Sequence, residues 1–321
     1  MKEKYLSASR IKTLETCSWV YWCRYHMGLP DTPNDGALRG SICHLIFELL
    51  LKPRHKKHFD AMMKTKTMEG SPAIVRMVNS YLKKHGIEKD RPDDNYEMIS
   101  KMVMVGLHTD FFGGKGASID KPEQEFSIEN ESPAYKIRGY IDKPIKYEKD
   151  GTIKIVDYKS SKYKFRGDEL DSNIQALMYS LASKTLWPGM KPKVEFQFLR
   201  FPKSPCQNLE FSDHEIKGFE QYLAQVNKHV NSFSEKDSTT NFAQDNKKNR
   251  WLCGIGKWVC PLKKSFDYYS LEDKDGKQVK SAFDKDDLKS IKTKGQKIVK
   301  KHYEGCPKFK NSENNDDPFD F

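Results

Sequence analysis

The sequence holds no apolar run of the roughly 20 residues that a bilayer span needs, and Met1–Arg10 lacks the apolar core of a secretory signal. Both absences predict a soluble, cytoplasmic protein with no membrane partner. No G-x-x-x-x-G-K-[ST] phosphate loop is present, which excludes a nucleotide-driven motor within this stretch of sequence. Internal repeats are absent as well. Cysteine is sparse: the seven residues scattered from Cys17 to Cys306 are odd in number and do not read as a secreted disulfide framework. Metal ligation or burial as free thiols is expected instead.

Positive charge is what the chain has in excess. Over 321 residues, 56 Lys and Arg against 45 Asp and Glu leave a formal net charge of +11. A summed positive field draws phosphate backbones, so a polyanionic partner is expected, with a merely solvated lysine-rich surface as the alternative. The length allows a large core, read here as one catalytic domain with insertions.

The chemistry gathers between Ile137 and Tyr179. Ile137–Asp142 and Ile153–Lys159 each read as a strand, and the Asp150-Gly151 pair between them signals a hairpin. Asp142 and Asp157 would then lie on neighbouring strands. A carboxylate ending an apolar strand needs a cation or hydrogen bonds to compensate it, and two such carboxylates together point to a cation. Asp157 and Lys159, two apart, leave one face of their strand and put an amine beside that cation site. In the following helix, Leu170–Trp187, Gln175 and Tyr179 are four apart and share a face that can look toward the same point.

Elsewhere the spacing predicts a helix over Leu6–Tyr25 capped by Ser7 or Ser9, a loop over Gly28–Arg39, and a helix after Gly40 with His44 and Glu48 on one face. Weaker helices are expected around Ile74–Leu82 and Tyr96–Phe112, strands over Glu123–Ile128 and Lys193–Phe201, and a helix over Asp213–Phe233. Ser234–Arg250 reads as a linker, Lys263–His302 as a lysine-rich tract that is either solvated or a DNA-backbone contact surface, and Asn311–Phe321 as a disordered acidic tail.

Taken in order, Ser7-Ala8-Ser9 with Cys17, Gly40-Ser41-Ile42-Cys43-His44 with Glu48, Gly139-Tyr140-Ile141-Asp142, Asp157-Tyr158-Lys159, and Gln175 with Tyr179 resemble the PD-(D/E)XK nuclease superfamily. The match is to its RecB-like exonuclease branch, which includes CRISPR adaptation and phage exonucleases. The resemblance implies one or two Mg²⁺ or Mn²⁺ ions, hard cations that take oxygen and imidazole ligands, on His44, Asp142, Asp157 and the backbone carbonyl of Tyr158. It implies Asp142, Asp157 and Lys159 as catalytic groups, with Gln175 and Tyr179 orienting the lysine or contacting the strand. It further implies a 4Fe-4S cluster on Cys17, Cys253, Cys260 and Cys306. Cys253 and Cys260 are seven apart and Cys306 is distant, a departure from the family's tight C-terminal triplet that leaves zinc and buried free thiols as alternatives.

The expected fold is α/β: a central mixed sheet flanked by helices, restriction-endonuclease-like, with a helical N-terminal cover and a basic C-terminal extension. The expected domains are a nuclease core over 1–233 with a helical insertion around 52–115, an extension over 234–310 packing back on it, and the tail 311–321. The expected function is a metal-dependent deoxyribonuclease, an exonuclease on single-stranded or duplex-end DNA in recombination, repair or phage DNA processing. It would work beside a separate helicase or recombination protein, in the host cytoplasm if a phage encodes it. The alternatives are a non-catalytic DNA-binding module of the same fold and a structure-specific endonuclease.

Overall fold

Oxygen-bearing side chains set where several helices begin, by accepting hydrogen bonds from backbone N–H groups that have no partner inside the helix. In the computed structural model, which describes residues 5–32, 34–87, 94–254 and 259–309, the N-terminal part is helical. Its helices are α1 (Ala8–Thr16), α2 (Ser18–Tyr25), α3 (Asp35–Leu51), α4 (Lys56–Thr65), α5 (Pro72–Lys84) and α6 (Asn95–His108). The strands β1 (Ala117–Ile119), β2 (Gln124–Glu131), β3 (Ala134–Ile141), β4 (Lys143–Tyr147) and β5 (Thr152–Lys159) follow. Then come α7 (Asp168–Asp171), α8 (Ile174–Leu186), β6 (Lys191–Phe198), β7 (Cys206–Leu209) and α9 (Asp213–Ser232). The C-terminal part adds β8 (Phe266–Glu272), β9 (Gln278–Ala282), α10 (Lys285–Lys289) and β10 (Lys297–Tyr303).

Asn34 caps α3 by accepting from the N–H groups of Gly36 and Ala37. That cap starts the helix at Asp35 rather than after Gly40. Asn173 caps α8 in the same way, through Ala176 N–H.

The chain divides into two units. Met1–Ala8 and Pro33–Asn227 form one, Ser9–Thr32 and Lys228–Phe321 the other, so the helical segment 9–32 groups with the C-terminal part. The tail 311–321 lies outside the described residues.

The first unit holds a five-stranded mixed sheet in the order β1-β4-β5-β6-β7, and β2 and β3 pair separately. Among the described strands of this sheet, only β5 and β6 run parallel. Parallel neighbours need a crossover, and α8 makes it, buried from Ala176 to Ser183. Ile145, Val156 and Tyr158 of the sheet join one core with Ile42, Ile46 and Phe47 of α3 and Ile99, Met102 and Val103 of α6. The expected architecture, a mixed sheet between helices, is what the chain adopts.

One pairing differs from the expectation. The antiparallel neighbour of β5 is β4, with Lys143 opposite Val156, while the Ile137 strand pairs with β2. Asp142 therefore sits at the joint where the chain leaves one sheet for the other.

In the second unit the expected single helix over Leu6–Tyr25 is broken at Cys17, whose φ of −160° and ψ of 113° are extended. Ser18 causes the break: its N–H donates to Asn241 O at 2.8 Å and its hydroxyl to Ser238 O at 2.8 Å. The lysine-rich tract is a three-stranded antiparallel sheet, β10-β8-β9. Tyr268 and Tyr303 from it are buried with Cys23, Leu29 and Leu262.

Candidate metal centre and active site

His44 reaches the site from the middle of α3, whose preceding turn approaches the end of β5 closely because residue 40 is glycine. A Cβ there would lie 2.8 Å from Ser160 Oγ. Gly139 answers a second close approach, since a Cβ there would lie 2.6 Å from the Phe126 ring that crosses it in the β2-β3 pair. Both motif glycines therefore have a packing reason.

His44 Nδ1 lies 3.3 Å from Asp142 Oδ2, and its Nε2 lies 3.0 Å from Tyr158 O. Asp142 Oδ2 also accepts the Tyr158 N–H at 2.9 Å. Burial opposes protonation of His44, but the hydrogen bond and charge of Asp142, helped by Asp157, outweigh it and raise the imidazole to about 9. In this arrangement a protonated histidine supplies the positive charge that the acids around it require.

A third acid joins them. Ligand atoms of His44, Glu123 and Asp142 all lie within 4.8 Å of one another. Glu123 stands in the left-handed region with φ of 52°, costly for a side chain of its size, and its N–H donates to Asp142 O at 3.0 Å. Burial, followed by the charge of Asp142, pushes its carboxyl up to about 7. Glu123 was not among the expected site residues. An acid before a strand gave no signal to separate it from Glu125, Glu129 or Glu131. Glu48, the other polar residue on the His44 face, is taken up by Lys52 at 2.7 Å.

Asp157 belongs to a second cluster beside the first. Its Oδ1 accepts from Gln175 Nε2 and from the Tyr179 hydroxyl, both at 2.8 Å. Lys159 Nζ lies 2.5 Å from its Oδ2 and donates to Gln175 Oε1 at 2.7 Å. Gln175 Nε2 and the Tyr179 hydroxyl are themselves 2.7 Å apart. Burial holds the Asp157 carboxyl above its usual range even against the charge of Lys159. Oδ2 is buried, and the cation it faces is the Lys159 ammonium.

The donor set fits a hard divalent ion: imidazole, carboxylates and a backbone carbonyl within a few ångströms. Of the expected ligands, His44, Asp142 and the Tyr158 carbonyl are brought together, whereas Asp157 stands outside the 4.8 Å group and Glu123 stands inside it.

The expected cluster cysteines share the second unit. Cys17 couples electrostatically with Cys253, Cys260 and Cys306, which places the four thiols in one neighbourhood. Burial pushes Cys306 up to about 11 and Cys23, a fifth thiol nearby, up to about 12. Among the described residues no three cysteine sulfurs lie within 4.8 Å of one another, wider than tetrahedral zinc with Zn–S bonds of about 2.3 Å would hold them.

A family model described as the PD-(D/E)XK nuclease superfamily matches residues 5–264. The chain is 26% identical over 164 residues to an ATP-dependent helicase/deoxyribonuclease subunit of Streptococcus mutans, and 27% over 160 residues to the protein of the same name from Streptococcus equi subsp. zooepidemicus. Those stretches cover 50% and 49% of this chain but only 14% of each relative. A crystal structure of a suggested exonuclease from Eubacterium rectale superposes with a TM-score of 0.46 at 12% identity, covering 80% of this chain and 91% of that one. With a family match across most of its length, this chain belongs to the PD-(D/E)XK nuclease superfamily.

Proposed function

We propose that this protein is a divalent-metal-dependent deoxyribonuclease, acting as an exonuclease on single-stranded or duplex-end DNA. The observation that carries the reading is the pair of adjoining clusters, His44–Glu123–Asp142 and Asp157–Lys159–Gln175–Tyr179. One is a cation site and the other a positioned amine.

His44, Asp142, Asp157 and the Tyr158 carbonyl, with Glu123 added, would hold Mg²⁺ or Mn²⁺. Such an ion, when bound, polarises a phosphate oxygen and lowers the pKa of water. The rest of the chemistry falls to the protein. Gln175 uses both ends of its amide, donating to Asp157 and accepting from Lys159, and so fixes acid and amine relative to each other. Tyr179 fills the remaining lone pair of Asp157 Oδ1 and keeps Oδ2 turned inward. Lys159 then presents an ammonium whose charge stabilises the attacking hydroxide and the negative charge that builds on the phosphate in the transition state. Hydrolysis in this manner leaves 5′-phosphate ends.

Cys17, Cys253, Cys260 and Cys306 would hold a 4Fe-4S cluster in the second unit. The relatives are helicase/deoxyribonuclease subunits by name, which supports a separate helicase as partner in recombination or repair; processing of phage DNA is the other setting.

The test is degradation of internally labelled DNA with Mg²⁺ or Mn²⁺ by the wild type, Asp157→Ala and Lys159→Ala, on linear single strands, linear duplex and closed circles. Loss in both variants with circles spared is expected. Equal activity in all three proteins would remove the reading, and cutting of circles would replace the exonuclease with an endonuclease.

A further inference from the structure

The segment that follows the catalytic strand reads Ser160-Ser161-Lys162-Tyr163-Lys164-Phe165-Arg166-Gly167, basic and aromatic residues in alternation. Three of its side chains, those of Ser161, Lys164 and Phe165, anchor it. Ser161 Oγ donates to Tyr163 O at 2.7 Å. Lys164 Nζ donates to the carbonyl of Ser204 and to its hydroxyl, the latter at 3.2 Å, and lies 5.4 Å from the Phe201 ring centroid. Phe165 exchanges two hydrogen bonds of 3.2 Å with the Gln207 amide, and its ring meets Phe196 and Phe198 edge-on at 4.8 and 5.2 Å. Yet Tyr163, between these anchors, is 78% exposed, the highest value among the exposed large apolar side chains of the described residues.

An aromatic ring held out on an anchored loop gives a nucleobase a stacking face at little entropic cost. Its neighbours Lys162 and Arg166 are exposed and have no ion pair among the described residues, so their charge is available to phosphates. Tyr163 is four residues beyond Lys159, within about 14 Å along the chain, the reach of a few nucleotides from the scissile bond. Inside a duplex both faces of a base are covered by its neighbours, so a base away from the end can use this ring only when unpaired.

We propose that Tyr163, flanked by Lys162 and Arg166, is a stacking platform that receives an unpaired base of a single-stranded nucleic acid entering the Lys159 site. The inference rests on the nuclease reading for its substrate, and its test is separate from that reading.

Binding of fluorescein-labelled oligothymidylate, and of an abasic strand of equal length, is measured by anisotropy on the full-length protein with no divalent ion added. Tyr163→Ala should weaken oligothymidylate binding about tenfold or more, as loss of one base stack does, and should leave abasic binding within about twofold. Tyr163→Phe keeps the ring and should bind like the wild type. Lys162→Ala with Arg166→Ala should weaken both strands and lower the slope of log affinity against log salt by about 0.7 for each phosphate no longer neutralised. Unchanged oligothymidylate binding by Tyr163→Ala, or an equal loss on the abasic strand, would overturn the platform and leave metal-dependent hydrolysis intact. A base-dependent loss in a protein that hydrolyses nothing would sustain the platform and end the nuclease reading. Because the ring is exposed, thermal unfolding of Tyr163→Ala should match the wild type.

Discussion

Replacing Lys159 by Met separates what the lysine does for the fold from what it does for the reaction. The ammonium is 2.5 Å from Asp157 Oδ2 and 2.7 Å from Gln175 Oε1. Removing it leaves a carboxylate that is 3% exposed with no countercharge on that oxygen. Breaking one side of a buried ion pair costs about 3 to 5 kcal/mol, and the lower end applies because Oδ1 keeps its two donors. Burial already holds Asp157 above its usual range, and Lys159 is the largest influence in the opposite direction, so the variant raises this carboxyl further. A carboxyl with a raised folded-state pKa gives stability that is present below its unfolded value of about 4 and lost as pH rises through the folded value. The deficit should therefore be small at pH 5 and near 3 kcal/mol at pH 8, read by thermal or urea unfolding without metal. Asp157→Asn added to Lys159→Met removes the stranded charge, keeps an acceptor for Gln175 and Tyr179, and should recover most of that loss. Activity should not recover, because the electrostatic term, worth about 10² to 10³ in rate, goes with the lysine. A single variant equally stable at both pH values, or a double variant no more stable than the single, would refute the account.

The cation site gives a second prediction: Mn²⁺ should raise the unfolding temperature of the wild type and much less that of His44→Ala, Asp142→Ala or Glu123→Gln, whichever of them still folds. With His44 raised to about 9 and Glu123 to about 7, a bound ion must displace protons, so Mn²⁺ affinity by titration should climb about tenfold per pH unit from 7 to 9 and more steeply below 7; a flat profile would mean that His44 is no ligand. Protein purified without oxygen should contain iron and sulfide and absorb in the visible, and Cys306→Ser should lose both; colourless protein with four titratable thiols would leave the cysteines as buried free thiols. Lys143, fully buried, is lowered to about 7 by burial; a lysine so lowered gives stability present above its unfolded value and lost as pH falls, so Lys143→Met should gain a few kcal/mol over wild type at pH 7 and below, and no gain would show the buried amine to be compensated.

What the sequence disclosed was the part governed by short periods. Asp157 and Lys159 on one strand face and Gln175 and Tyr179 one helical turn apart follow from periods of 2 and 3.6, and those four side chains do meet. What stayed hidden depends on distant partners. Lys143-Pro144-Ile145-Lys146-Tyr147 reads poorly as a central strand, because Pro144 has no N–H to give and a lysine rarely enters a core. It becomes one because Lys143 finds the Phe111 carbonyl at 3.2 Å and lies over the Phe111 and Tyr158 rings. The break at Cys17 likewise comes from Asn241, more than 220 residues away, and no local propensity announces it. The C-terminal sheet hides behind its lysines: Lys297 and Lys301 pair with Glu272, and Lys300 with Asp267, across β8 and β10.

The displaced strand pairing also explains how the acid at its joint is held. Had Asp142 been the last residue of a strand running straight into a hairpin, its backbone would be spent on a single ladder. At a change of sheet, its carbonyl is free to accept from Glu123 N–H at 3.0 Å while its carboxylate accepts from Tyr158 N–H at 2.9 Å and faces His44 at 3.3 Å. One residue thereby ties the start of β2, the end of β5 and the middle of α3. Buried polar groups satisfied on three sides have little freedom to drift, and a cation site assembled from three elements needs that restraint, since an error of about 1 Å in any of them would undo it. The left-handed backbone at Glu123 is consistent with the same arrangement: the strain is held by the hydrogen bond to Asp142, and the carboxylate it brings in is one that no regular strand would have aimed at His44.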